Sequence, residues 1–304
     1  MKISTSNAVI CYGEILWDIL PNVKRPGGAP MNVAYHLQKL AVNSTLISSV
    51  GDDALGRSLL DFVREIGLSV ETIQVHEHQP TSEVVATVSA EHEVRYEIVY
   101  PVAWDFIHWL PAYETLLKGS TALVYGSLAS RNDVSADTLL TMLGFQHLFK
   151  VFDVNLRAPH YSPKVIDRLL KAANLLKVNA EELGIICSWY DGTLHGEAAQ
   201  VEYLFANFDV EEVLITKGAA GASYYTREHH FEQPAFAVEV NDTIGSGDSF
   251  LAAFLTKRLQ QSDPASTLEY AVAMGAFITA QSGACPHYEK ADFEAFLIDK
   301  RPVQ

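Results

Sequence analysis

Short runs of β-branched and aliphatic residues alternate with amphipathic stretches along almost the whole chain. That is the pattern of parallel strands joined by crossover helices. Strand candidates are Ala8–Tyr12, Thr45–Val50, Ala122–Tyr125, Lys150–Val154, Leu175–Val178 and Glu212–Thr216. Helical periodicity predicts Met31–Leu40, Leu55–Ile66, Ala136–Leu143, Pro163–Ala173 and Glu197–Phe205 between them, with a further apolar helix over Ser249–Leu259. The alternation implies an α/β sandwich. In open sheets of this kind ligands lie beyond the carboxyl ends of the strands, so the residues that follow each strand carry the functional question.

One segment breaks the alternation. Ser82–Ser89 and Val94–Tyr100 read as two strands around the polar turn Ala90-Glu91-His92-Glu93. Together with Ile15–Val23 they suit a small second sheet, a candidate lid over a site, built from about 14–24 and 82–100. No repeat, low-complexity tract or Pro/Gly/Ser-rich linker interrupts the chain, which reads as one domain over 1–304.

Composition narrows the partners. With 48% hydrophobic and 19% charged residues the chain is globular rather than disordered. Its 22 basic against 37 acidic residues leave a net charge of −15, which repels a nucleic-acid backbone or an anionic membrane surface. Neither partner is expected, and a phosphate ligand has to be held locally by backbone amides, one or two cations or a metal. Cys11, Cys187 and Cys285 lack CxxC spacing, so a reducing, cytoplasmic compartment fits better than a disulfide framework. Glu14 and Asp18 interrupt the apolar residues after Ala8, which argues against a secretory leader. The most apolar window, Ala271–Ala280, is too short to span a bilayer.

The strongest local signal is Asn241-Asp242-Thr243-Ile244-Gly245-Ser246-Gly247-Asp248, directly before an apolar helix. Glycines followed by a helix start present outward N–H groups and partial positive charge, which together suit a developing phosphoryl anion. Asp248 reads either as the N-cap of that helix or as the acceptor of a proton from an attacking hydroxyl. A Rossmann turn is excluded because Phe250 stands at the third glycine position, and no P-loop motif occurs. No HExxH metal signature occurs either, and His76, His78, His229 and His230 read as solvated surface. Gly27-Gly28-Ala29-Pro30-Met31-Asn32 is another close-approach turn before a helix, and Asp18 with Asn32 could hold a polyhydroxy compound. Asn179-Ala180-Glu181-Glu182 is formally a capping box, but Asn and Glu at a sheet edge also suit the water shell of Mg²⁺. Thr216-Lys217-Gly218-Ala219-Ala220-Gly221 places a hydroxyl, a cation and small residues where a nucleotide would lie, or forms a surface turn.

Taken in register, Gly27-Gly28 with Asn32, Asp153-Val154-Asn155-Leu156-Arg157, Asn179-x-x-Glu182, Thr216-x-Gly218-x-x-Gly221 and Asp242-Thr243-x-Gly245-x-Gly247-Asp248 resemble the PfkB (ribokinase-like) carbohydrate kinases over nearly the whole chain. The stretches Gly13–Asp18, Gly27–His36 and Val102–Phe106 are most similar to the bacterial fructokinase branch. The resemblance implies a three-layer α/β/α sandwich with a mostly parallel central sheet and a small β-sheet lid. It further implies transfer of the γ-phosphoryl group of ATP to a monosaccharide, D-fructose first, with Asp248 as catalytic base and Gly245, Ser246 and Gly247 as the anion hole. By the same resemblance Asp18, Gly28, Asn32 and Arg157 face the sugar and transferring phosphate, Asn179 and Glu182 organise hydrated Mg²⁺, and Thr216 and Gly218 line the nucleotide. Relatives often bind K⁺ near the anion hole, which here would involve Asp242, Ser282 and Gly283. A homodimer formed through the lid is compatible with it. Two positions depart from the pattern: Ser246 replaces the commoner Ala, and Val272 stands where many relatives carry an Asn near adenine. The alternatives are the same fold acting on 2-keto-3-deoxygluconate, ribose or a nucleoside, or a sugar-binding regulator without catalysis.

Overall fold

The computed structural model describes residues 8–20, 23–88 and 94–300. Its strands are β1 (Val9–Tyr12), β2 (Leu16–Leu20), β3 (Val23–Gly27), β4 (Ser44–Gly51), β5 (Ile73–His76), β6 (Ser82–Val88), β7 (Val94–Ile98), β8 (Ala122–Gly126), β9 (Phe149–Asp153), β10 (Leu175–Asn179), β11 (Glu212–Thr216), β12 (Ala222–Thr226) and β13 (His230–Gln233). The helices are α1 (Ala29–Lys39), α2 (Ala54–Glu65), α3 (Pro111–Lys118), α4 (Asp133–Leu143), α5 (Pro163–Leu170), α6 (Ala180–Ser188), α7 (Glu197–Asn207), α8 (Ser246–Leu259), α9 (Pro264–Thr279) and α10 (Lys290–Lys300).

Among the described residues a nine-stranded sheet runs in the order β13-β12-β11-β10-β9-β8-β1-β4-β5. From β11 to β5 every pairing is parallel. The β12 and β13 edge is antiparallel. The parallel strands are aliphatic on both faces because both faces are covered. One face buries Met31, Leu37, Leu59, Val63, Leu251, Phe254, Met274 and Phe293, from α1, α2, α8, α9 and α10. The other buries Tyr113, Leu139, Ile166, Ile186 and Leu204, from α3 through α7. Three layers result, and the carboxyl ends of the parallel strands point to one rim.

The second sheet is β3-β2-β6-β7, with β2 parallel to β6 and the other two pairings antiparallel. It matches the expected small sheet, except that its first arm continues to Gly27 rather than ending near residue 24. The turn expected at Ala90–Glu93 lies outside the described residues. All three cysteines are free, as their spacing implied. No helix among the described residues is long and apolar enough to cross a membrane.

Candidate active site

Gly245 is the N-cap of α8, in the left-handed region at φ 76°, and contributes no side-chain cap. A Cβ there would stand 2.7 Å from the Cα and Cβ of Ala284, so both its backbone angle and its space exclude a larger residue. The helix therefore starts at Ser246, three residues before the apolar periodicity begins, and Asp248 lies in its first turn rather than capping it. The amides of this turn have no partners earlier in the helix, and they sit at the positive end of its dipole.

Asn32, on the second turn of α1, donates from Nδ2 to the Asp248 carboxylate at 2.7 Å. Burial pushes the Asp248 pKa up to about 6 and the neighbouring Asp153 adds to this, while Lys177, the Asn32 bond and Arg157 oppose it. Gly28 caps α1 at φ 119°, and a Cβ there would stand 2.4 Å from the Glu14 carbonyl oxygen. Only glycine permits the chain to pass so close, which is how α1 brings Asn32 to Asp248.

The next turn on the same face of α1 holds the loop after α9. His36 is buried between the Tyr288 hydroxyl and the Ala284 carbonyl, each 2.9 Å from a ring nitrogen. A carbonyl only accepts, so Nε2 carries the proton and Nδ1 receives the tyrosine hydroxyl. Burial lowers the pKa of this imidazole to about 4, so it is neutral at pH 7. Tyr35 donates to the Pro286 carbonyl at 2.5 Å, and the Cys285 thiol lies 3.3 Å from Asn32 Oδ1.

Three residues that sequence reasoning passed over also stand here. Lys177 in β10 lies beside Asp153 in β9, with Nζ 2.9 and 3.0 Å from the two carboxylate oxygens. Burial works against the ammonium charge, but Asp153 and Asp248 together hold its pKa above the usual value. A Cβ on Gly247 would stand 3.1 Å from the same Nζ, so the cation sits immediately behind the turn. Glu14 is 3% exposed; one carboxyl oxygen accepts from the Ala29 N–H at 3.3 Å and the other is buried without a partner. Burial raises its pKa to about 7, with Asp248 adding to the effect. Arg25 in β3 reaches Asp242 and Ser282, and the small sheet thereby touches the loop before α8 and the loop after α9.

The remaining predicted residues divide into three groups. Asp18 is raised by burial and Asp242 and lowered by Arg157 and Arg25, which places all four charges in one neighbourhood. Thr216 and Gly218 line a cavity of about 620 Å³ together with Thr243, Ser246, Gly247, Val272 and Gly275. Phe236 and Val240, on the segment between β13 and α8, form part of its wall and carried no sequence signal. Asn179 and Glu182 form a complete capping box: Glu182 accepts from the Asn179 N–H and Asn179 accepts from the Glu182 N–H. The other Glu182 oxygen accepts from the Leu156 N–H at 2.8 Å, which ties the loop of Arg157 to α6. A carboxylate has about four lone-pair sites, so two remain for water around a cation. Glu197, His230 and Glu232 also converge, but Lys217 already sits 2.9 Å from one carboxylate and 3.4 Å from the other.

Residues 9–291 match the pfkB family carbohydrate kinase domain. The chain belongs to the pfkB family of carbohydrate kinases. Relatives of this pfkB kinase include Fructokinase-2 of Solanum lycopersicum, 27% identical with 93% of each chain covered, and Fructokinase-2 of Oryza sativa subsp. japonica, 24% identical over 97% of this chain and 94% of the relative. Solved structures with the same fold include a fructokinase with bound ATP from Xylella fastidiosa (TM-score 0.86, 21% identity, 97% and 99% covered). Another is a fructokinase double mutant from Vibrio cholerae O395 in a fructose-, ADP- and potassium-bound form (TM-score 0.82, 24% identity, 96% and 98% covered). The pfkB fold accounts for the three layers and the separate small sheet.

Proposed function

We propose that this pfkB kinase transfers the γ-phosphoryl group of ATP to a hydroxyl of D-fructose, with Asp248 as the base. The observation that carries the reading is the convergence of three parts. A carboxylate raised towards neutrality stands in the first turn of α8, a glycine turn beside it forms the positive end of that helix, and a nucleotide-sized cavity ends on Ser246 and Gly247. The relatives named fructokinase, and the fructose in the Vibrio cholerae structure, support fructose as the acceptor.

Phosphoryl transfer needs little covalent chemistry from the protein; positioning and charge compensation supply most of the acceleration. Asn32 orients the Asp248 carboxylate and Asp248 takes the hydroxyl proton as the bond to phosphorus forms. The amides of Gly245, Ser246 and Gly247, with Lys177 behind them, face the negative charge of the migrating group. Asp18, Gly28 and Arg157 line the sugar side, Thr216 and Gly218 the nucleotide side. The free lone pairs of Glu182 suit a hydrated Mg²⁺ held through water, with Asn179 beside it; when bound, the ion would supply positive charge to the ATP phosphates. The small sheet, β3-β2-β6-β7, would act as the lid that keeps water from the transferring group.

ADP release measured across fructose, ribose, 2-keto-3-deoxygluconate and a nucleoside tests the acceptor. Fructose should give the highest kcat/KM, and a silent response to fructose beside turnover of another compound would reassign the substrate. The raised Asp248 pKa also sets the pH dependence. A base works only when deprotonated, so kcat/KM should fall about tenfold per pH unit below about pH 6 and level off above it. A profile from pH 5 to 8 that stays flat through the acid range would remove Asp248 from this role.

A further inference from the structure

Asp242, Ser282 and Gly283 are the residues that the family resemblance would give to a potassium ion, and the fold neighbour from Vibrio cholerae holds one. In this chain those groups are already engaged. One Asp242 oxygen accepts from the Ile244 N–H at 3.0 Å, and the other accepts from the Gly283 N–H at 3.1 Å and from the Arg25 guanidinium. The second guanidinium nitrogen of Arg25 donates to the Ser282 hydroxyl at 3.1 Å. The Asp242 side chain is 15% exposed and that of Arg25 31%, so the contact is partly shielded from water. A carboxylate paired this way has no net charge left to attract a monovalent ion, and an ion on the same oxygen would meet a like charge.

We propose that the guanidinium of Arg25 replaces the monovalent cation in this enzyme. The proposal rests on the reading of Gly245 to Asp248 as the transfer site. Asp242 and Gly245 belong to one loop, and the Asp242 N–H also bonds to the Thr279 carbonyl at 3.1 Å, at the end of α9. A positive charge on Asp242 therefore braces the two segments that meet beside the anion-hole turn, residues 242–245 and 279–284. A potassium ion would supply that charge from solution. Arg25 supplies it from β3 of the small sheet, so the brace also couples that sheet to the anion hole, and no loose cation is required.

The test compares wild type and Arg25→Ala in KCl and in choline chloride at equal ionic strength, by ADP release and by thermal unfolding. Wild type should turn over equally in the two salts and unfold at the same temperature in both. Arg25→Ala should lose about tenfold in kcat/KM in choline chloride, as expected when a charge-assisted contact is removed. Adding K⁺ should restore most of that loss and raise its melting temperature. Activation of wild type several-fold by K⁺ over choline overturns the proposal, as does a folded Arg25→Ala protein whose activity and melting temperature ignore K⁺. The wild-type comparison decides alone if the variant does not fold. Absence of turnover on any sugar in both salts would instead refute the kinase reading beneath it.

Discussion

Asp248→Asn should bind sugar and ATP close to wild-type affinity while kcat falls about a hundred- to ten-thousand-fold, the range for loss of a general base. The substitution keeps the shape and an oxygen for the 2.7 Å bond from Asn32, so the geometry of α1 against α8 survives. What disappears is the site that takes up the proton. Calorimetry for binding and ADP release for turnover separate the two effects. Retained turnover with weakened binding would make Asp248 a ligand of the sugar rather than its base, and near-wild-type behaviour in both would exclude it from the chemistry.

Lys177→Met should be the most damaging single change outside the glycine turns. Asp153 is only 4% exposed and would be left without its cation, and breaking a buried pair in this manner removes roughly 3–5 kcal/mol of stability. Activity should suffer as well, because Lys177 lowers the pKa of Asp248 and stands behind Gly247. Without it the acid limb of the pH profile moves to higher pH. Adding Asp153→Asn removes the stranded charge, so the double variant should recover much of the stability and little of the turnover. Denaturant unfolding reads the first and ADP release the second. A single variant within about 1 kcal/mol of wild type would mean that the pair is solvated and carries no structural weight.

Much of the fold was legible because burial on both faces writes the parallel strands as aliphatic runs: Glu212–Thr216 matches β11 at both ends, and Thr45–Val50 falls one residue short of β4 on each side. The edge was not. β12 and β13 carry weaker patterns, since an edge hairpin buries less, and His230 to Gln233 are half-buried or exposed. The start of α8 was misplaced because Ser246 and Gly247 have no apolar periodicity and the cap is a glycine without a side-chain signal. Of the site, the glycine turns, Asp248, Asn32, Thr216 and Gly218 were readable as local motifs. Lys177 was hidden inside Leu175-Leu176-Lys177-Val178, a strand by every local measure. Its meaning depends on pairing with Asp153 across β9 and β10, a register that no single stretch of chain encodes. Glu14 was noted for interrupting an apolar run and as part of the Gly13–Asp18 stretch, with no role of its own. The Asn179 to Glu182 capping box proved real, which shows that a motif can be structural and still leave lone pairs to a ligand.

Helix α1 touches Asp248 through Asn32 and the loop beyond α9 through Tyr35 and His36. It thus works as a strut that ties the first turn of α8 to the loop packed against Gly245. In-line transfer tolerates misplacement of only about an ångström before rates fall by around two orders of magnitude. A single rigid rod gauges that gap more reliably than two loops adjusting independently, and alignment is inherited from folding instead of being rebuilt at every turnover.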